Sequence, residues 1–160
     1  IYKVAQVHPQ YRRMGTTSVL ALYREGLVYY AHVGDSRLYL YREGKLVPKT
    51  QDHSYVQFLI SQGLLTPEEA AFHPRRHVIL RALGLSARPE PEIAPEPIEV
   101  QSGDILLLCS DGLTNMLEDK EIEAILRQNS SIKEKVYRLI HEANESGGVD
   151  NISVILVEFE

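Results

Sequence analysis

Three aspartates lie beside predicted strands, and their side chains could bind a cation. Asp35 and Asp111 each come shortly after a predicted strand, and Asp150 comes just before the last one. If the two strands beside Asp111 and Asp150 run antiparallel, both residues lie at the same edge of one sheet. Carboxylates within about 5 Å of one another repel, which raises their pKa unless a cation neutralises them. All-oxygen ligands of this kind suit magnesium, manganese or calcium.

Ordinary turn chemistry is the alternative interpretation of these aspartates. Asp-Gly and Gly-Asp pairs are common in turns, and Gly103-Asp104 is interpreted as a turn only. Asp111 differs because it follows an apolar run, Ile105 to Ser110, which is typical of a strand buried on both faces. A carboxylate at that position must be paired, solvated or bound to a cation. On spacing alone, both interpretations stay open.

The composition excludes several classes of protein. A length of 160 residues with 44% hydrophobic and 24% charged residues indicates one globular domain. The net charge of -5 argues against a nucleic-acid partner, which requires a cationic surface. The sequence also lacks a long apolar segment and a signal-peptide pattern, so we expect a cytoplasmic domain without membrane contact. The single cysteine, Cys109, excludes an internal disulfide and is interpreted as a packed, inert thiol.

Short turns and β-branched residues predict antiparallel strands in the first third of the chain. Segments 16–23 and 27–33 form a predicted hairpin around Arg24-Glu25-Gly26, and a second tight turn covers residues 42–45. These connections are too short for crossover helices, so we predict a β-meander.

Helical signals dominate two later regions. Residues 54–84 read as a small helical insertion with a capping box at Thr66-Pro67-Glu68-Glu69, and an extended connector with four prolines follows it. Beyond the strand at 105–110, the pattern predicts helices over 120–128 and from Ser131 to about Gly147, where a second capping box opens the longer helix. A final strand is predicted over 152–159.

Five segments in order resemble the motifs of bacterial type-2C (PPM family) metal-dependent Ser/Thr protein phosphatases. They are Arg13-Met14-Gly15-Thr16-Thr17, Ala31-His32-Val33-Gly34-Asp35-Ser36-Arg37, Gln51-Asp52-His53-Ser54, Gly103 to Leu113, and Gly147-Gly148-Val149-Asp150-Asn151-Ile152-Ser153. The resemblance implies an α+β fold, a sandwich of two antiparallel β-sheets flanked by helices. It makes 1–160 a single catalytic-domain fragment that lacks the N-terminal part, with residues 54–84 as a flap.

The resemblance also implies roles for particular residues. Asp111 and Asp150 would hold one ion of a binuclear Mn²⁺ or Mg²⁺ centre, and Asp35 with Asp111 would hold a third ion. His77 matches a flap histidine and is assigned as catalytic, while Arg75 and Arg76 would bind a phosphopeptide. The open alternative is that these flap residues form only a solvated, charged surface.

The function implied is hydrolysis of phosphoserine and phosphothreonine in proteins by a metal-bridging water. A Ser/Thr protein kinase and its substrates are the partners implied, and we expect a monomer. A cysteine phosphatase is excluded because Cys109 does not open a Cys-x5-Arg loop.

One part of the family pattern is missing. The family's phosphate-binding arginine and its Asp-Gly-x-Gly-Gly motif, whose aspartate bridges both ions, do not occur here. The chain also starts without methionine, in what looks like the tail of a helix, so we expect a fragment of a longer protein that alone is inactive or nearly so. Two other functions stay open: a non-catalytic, phosphatase-like interaction module, and a calcium-binding β domain. His53 is expected to hold its loop through a hydrogen bond.

Overall fold

Two antiparallel β-sheets packed face to face, with helices outside them, form the fold of this chain, and the computed structural model describes all 160 residues. The strands are β1 (Ser18–Arg24), β2 (Leu27–Val33), β3 (Arg37–Arg42), β4 (Lys45–Pro48), β5 (Glu92–Ile93), β6 (Ile98–Glu99), β7 (Ile105–Cys109) and β8 (Val154–Glu158). The α-helices are α1 (Tyr2–Val7), α2 (Tyr55–Ser61), α3 (Pro67–Ala71), α4 (Asp111–Thr114), α5 (Asp119–Leu126) and α6 (Ile132–Glu145), and a 3₁₀ turn covers Pro9–Tyr11. The predicted α+β sandwich is confirmed.

The two sheets have different strand orders. One sheet has the order β1-β2-β5, with β6 also paired to β2, and the other has the order β4-β3-β7-β8. All pairs of neighbouring strands are antiparallel. The proline-containing connector therefore contributes β5 and β6 to the first sheet, which the sequence did not predict.

The predicted β-meander is wrong, although both of its hairpins are present. β2 pairs with β1, and β3 pairs with β4, but β2 and β3 belong to different sheets. The three residues between them carry the chain from one sheet to the other. Gly34 takes a φ of +104° there, and a Cβ at this position would lie 2.2 Å from a methyl carbon of Thr17. Connection length alone does not distinguish this crossing from a hairpin.

The core surrounds β3 and β7, which occupy the centre of the second sheet. On one face of this sheet, side chains such as Tyr39, Leu107 and Cys109 pack beneath α4, α5 and α6. On the other face, Leu38 and Leu106 pack with residues of the first sheet. All five residues of β7 are buried, as the apolar run predicted. Burial raises the pKa of the Cys109 thiol to about 12, in keeping with an inert role.

The predicted helices have the expected start signals. Thr66 and Glu69 form the capping box of α3, and Ser131 and Glu134 form that of α6. The residues after Ala71 form turns rather than a helix, so His73 and His77 do not share a helix face. The sequence did not predict α4, which begins directly after the buried strand β7. None of the helices has the length and apolar character needed to cross a membrane.

One buried ion pair closes the end of the sandwich opposite the crossing at Gly34. Asp104 is 2% exposed and accepts two hydrogen bonds from Arg42, at 2.9 and 2.6 Å, and one from the Gln101 backbone N–H at 2.8 Å. Burial alone would raise the pKa of Asp104, but the Arg42 side chain outweighs burial and lowers it. Asp104 thus remains outside any metal site, although its role is larger than that of an ordinary turn residue.

The substitution Asp104→Asn is expected to lower the free energy of unfolding at pH 7 by about 1–3 kcal/mol, because one charge-assisted pair is lost in a buried position. A carboxylate with a lowered pKa stabilises the fold above its unfolded pKa, roughly 3.9, and this contribution is lost as pH falls through the folded pKa. Urea denaturation at pH 7 and pH 3 measures both effects. If wild type and Asp104→Asn differed in free energy of unfolding by the same amount at both pH values, Asp104 would not form the stabilising ion pair described here.

Candidate metal centre

The three candidate aspartates converge on one region of the surface. Asp35, Asp111 and Asp150 line a cavity of about 1130 Å³, together with His77 of the segment that follows α3. Asp35, Asp111 and His77 also line a second, smaller cavity of about 340 Å³. The structure therefore brings together four of the six residues singled out from the sequence at a single place.

Pairing of β7 with β8 brings Asp111 close to Asp150. The two strands are antiparallel with Cys109 opposite Val154, so the residues after Cys109 and before Val154 meet at one edge. Ser110 joins the two loops, because its hydroxyl donates to the Asn151 carbonyl at 3.1 Å and accepts from the Ser153 N–H at 2.9 Å.

Glycine at position 112 permits this close approach of the loops. A Cβ on Gly112 would lie 2.3 Å from the Asn151 carbonyl oxygen, a distance that real Cβ atoms do not adopt. The glycine of the Asp-Gly pair is therefore required by packing against the Asp150 loop as well as by turn geometry.

Asp35 reaches the same place from the crossing between the two sheets. The flanking residue Ser36 hydrogen-bonds through its hydroxyl to that of Thr17, at 2.8 Å. Thr17 contacts Gly34 as well, so it supports the Asp35 loop rather than only starting a core strand.

The electrostatics of the site favour a bound cation. Burial, and then repulsion from Asp111, raise the pKa of Asp35 to about 6. Asp35, Asp111 and Asp150 form no ion pair with any lysine, arginine or histidine. The Asn115 amide donates to Asp111 at 3.1 Å, and Asp150 accepts only from the neighbouring Asn151 N–H. Asp35 and Asp111, with Asp150 lining the same cavity, offer the carboxylate oxygens that magnesium and manganese prefer.

Arg37, which lies two residues after Asp35, is already occupied by another carboxylate. Its guanidinium forms two hydrogen bonds with Asp52, at 2.8 and 2.7 Å, and a third with the Tyr39 hydroxyl at 3.0 Å. Tyr39 in turn donates to Asp119 at the start of α5. Arg37 and Asp52 lie in separate sequence motifs, and only the fold brings them together. The sequence therefore did not predict this pair.

His53 binds the backbone next to Asp35, as the sequence predicted. Its ring Nδ1 accepts from the Gly34 N–H at 3.2 Å, and its own backbone N–H donates to the Gly34 carbonyl at 2.9 Å. Its Nε2 contacts Glu92 of β5 at 3.2 Å. Burial lowers the pKa of His53, which keeps the ring neutral and Nδ1 free to accept.

A second group of possible ligands, formed by His32, His53 and Glu92, does not have the character of a metal site. The ligand atoms lie within 4.8 Å of one another, but the two imidazoles stack with centroids 4.5 Å apart. His32 Nε2 donates to the Gln51 carbonyl, and both nitrogens of His53 are engaged. The group is a hydrogen-bonded support beneath the Asp35 loop.

The candidate substrate-binding arginines have different surroundings. Arg76 lines the smaller cavity beside Asp35 and Asp111 and forms no ion pair. Arg75 instead lies over the ring of Tyr55, with its guanidinium carbon 5.6 Å from the ring centroid. Of these two residues, only Arg76 faces the candidate metal centre.

Replacing His53 tests whether the Gly34 contact positions Asp35. His53→Ala is expected to weaken Mn²⁺ binding about tenfold, the usual cost of losing a group that orients a metal ligand. His53→Asn, whose side-chain oxygen can replace Nδ1 as acceptor, is expected to retain most of the affinity. Electron paramagnetic resonance of free Mn²⁺ measures the affinity of both variants, and circular dichroism serves as the folding control. Equal loss in both variants would contradict the positioning role.

Comparison with known proteins identifies the family of this chain. The sequence profile of the family described as Protein phosphatase 2C matches residues 2–153. A serine/threonine phosphatase stp of Listeria welshimeri is 46% identical over 145 residues, which cover 91% of this chain and 57% of the relative. The protein phosphatase PhpP of Streptococcus pneumoniae is 42% identical over 147 residues, with 92% and 59% of the two chains covered. The chain thus spans a little over half the length of the curated relatives it matches.

Solved structures show the same similarity in three dimensions. The serine/threonine phosphatase of S. agalactiae superimposes with a TM-score of 0.94 at 41% identity, covering 100% of this chain and 65% of that one. The catalytic domain of the serine threonine protein phosphatase PstP, in complex with two manganese ions, gives a TM-score of 0.82 at 36% identity, with 98% and 65% covered. The chain belongs to the protein phosphatase 2C family.

Proposed function

We propose that the protein to which this chain belongs is a metal-dependent phosphatase that hydrolyses phosphoserine and phosphothreonine in other proteins. The convergence of Asp35, Asp111 and Asp150 without a neutralising side chain carries this proposal. Family membership supports it, since relatives of similar sequence are named serine/threonine phosphatases. Phosphorylated proteins in the cytoplasm are the proposed substrates, a Ser/Thr protein kinase is a proposed partner, and the protein is proposed to be a monomer.

The proposed cofactor is Mn²⁺ or Mg²⁺, as two or three ions in the complete site. Asp111 and Asp150 would hold one ion, and Asp35 with Asp111 would hold another. Ions held there would supply a bound water of lowered pKa and would neutralise charge on the phosphate oxygens. The two manganese ions in the PstP structure support this choice.

His77 is the proposed catalytic side chain, because it is an exposed imidazole beside Asp35 and Asp111 in both cavities. From this position, its imidazole can donate a proton to the serine or threonine oxygen that leaves. Arg76, as a cation free of ion pairs in the smaller cavity, would bind phosphate oxygens of the substrate.

Other parts of the protein are proposed to complete the site. The missing Asp-Gly-x-Gly-Gly motif would supply a further carboxylate, and the large cavity beside Asp150 has room for it. β1 lies at one edge of the first sheet and β8 at one edge of the second, and neither has a partner strand on its outer side. Apolar side chains on these two strands are exposed, such as Leu22 on β1 and Ile155 on β8. Such edges and faces are typical of sheets that continue in additional polypeptide.

Manganese-dependent release of phosphate from a phosphothreonine peptide tests the proposed function. A version extended upstream is expected to be active, the present chain to be inactive or nearly so, and the extended Asp111→Asn variant to lose at least a hundredfold, because a charged ligand becomes neutral. If the folded, extended form released no phosphate at any Mn²⁺ concentration, a non-catalytic interaction module would be favoured instead.

The two neighbouring arginines of the flap provide a matched pair of variants. In the extended enzyme, Arg76→Ala is expected to raise the KM for a phosphothreonine peptide about tenfold, because a hydrogen bond to a charged group is lost. Arg75→Ala is expected to leave KM within about twofold, since Arg75 packs on Tyr55. Steady-state kinetics of both variants measure the two KM values. An equal rise in KM would show that Arg75 also reaches the substrate.

A further inference from the structure

The smaller cavity beside Asp35 and Asp111 has two chemically different walls. One wall carries these carboxylates and polar residues at the end of α4, including Asn115. The opposite wall consists of flap residues, with the apolar Val56, Ile60, Pro67, Ala70 and Ala71 from α2 and α3 and the polar Gln57, Arg76 and His77 among them. This arrangement places a group of apolar side chains next to the candidate metal centre.

Helical spacing explains why the flap wall is apolar. Val56 and Ile60 lie four residues apart on α2, and so share one face of that helix. Pro67, Ala70 and Ala71 come from one side of α3, and α2 packs against α3. Both helices therefore present apolar side chains to the cavity.

Small side chains on α3 keep this space open. Pro67, Ala70 and Ala71 leave a cavity of about 340 Å³, near the lower end of the size range for ligand pockets. No large side chain of the chain occupies it, although it lies between two helices and the core. It is large enough for a side chain with adjoining backbone and too small for a folded partner.

The charged groups at the edge of the cavity differ in whether they are free to bind an anion. Arg37 also lines the cavity, but Asp52 occupies its guanidinium. Arg76 is thus the arginine available for an anion. A phosphorylated side chain bound at the carboxylate wall would place the adjacent residues, spaced about 3.3–3.6 Å along an extended chain, against the flap wall.

We infer that this cavity binds an apolar side chain of the substrate, contributed by a residue next to the phosphorylated serine or threonine. The inference rests on the proposed function and adds a substrate preference to it. Val56, Ile60 and Ala71 contact the apolar side chain, and the same flap contributes Arg76 for the phosphate. Substrates with a leucine-like residue at the matching position are therefore hydrolysed faster than those with a polar one.

Phosphothreonine peptides that differ at one flanking position test this preference in the upstream-extended enzyme. Leucine and serine are compared at each position from two before to two after the phosphothreonine. Leucine at one position is expected to raise kcat/KM about tenfold, the discrimination typical of one apolar pocket. The Ala71→Leu variant fills the cavity and is expected to reduce the ratio of kcat/KM between the leucine and serine peptides to about one.

Two further variants keep the test independent of folding defects. Glu68→Leu adds the same side chain to an exposed position of α3 that does not line the cavity, and it is expected to retain the wild-type preference. Ala71→Glu places a carboxylate in the cavity and is expected to shift the preference from leucine to lysine.

The outcomes separate this inference from the proposed function. Absence of hydrolysis of both p-nitrophenyl phosphate and every peptide would overturn the proposed function itself. Hydrolysis of p-nitrophenyl phosphate with no preference among the peptides would overturn only the inferred side-chain pocket. A leucine preference that persists in Ala71→Leu would do the same, because the pocket would then lie elsewhere.

Discussion

The antiparallel pairing of β7 with β8 is the interaction on which the candidate metal centre depends. It places Asp111 and Asp150 at one edge of the sheet, and the Ser110 hydroxyl then holds their loops together through two hydrogen bonds. β7 can occupy this central place because all five of its residues are buried between the helices and the other sheet. Hydrophobic burial of β7 thus provides the support for carboxylates that repel one another.

The approach of Asp35 depends on a different set of contacts. Gly34 carries the chain between the sheets, with Thr17 packed against it and His53 hydrogen-bonded to both its N–H and its carbonyl. The residue after His53, Ser54, caps α2, and it also forms a bridge with Ile79 where the flap returns to the core. The same short segment therefore supports a candidate metal ligand and the base of the flap.

Charged groups at both ends of the sandwich are satisfied in pairs. Arg37 with Asp52, and Arg42 with Asp104, form two-point interactions that remove two arginines and two aspartates from any role as free charges. Asp35, Asp111 and Asp150 stand apart because they lack such partners. The absence of an arginine partner therefore distinguishes a candidate metal ligand from a structural aspartate. A neighbouring glycine does not, since Asp104 also follows a glycine.

The sequence by itself determined the types of the longer strands and helices, the buried run of β7, two capping boxes and the three strand-end aspartates, because these depend on local spacing and side-chain chemistry. Its family motifs also indicated the phosphatase fold. The tertiary structure decided that β2 and β3 lie in different sheets, that α4 follows Ser110, and that Arg37 pairs with Asp52. It also placed Arg76 at the cavity and Arg75 on Tyr55. These features depend on contacts between residues distant in sequence, or on the direction of a side chain after packing, and neither local propensity nor spacing contains that information.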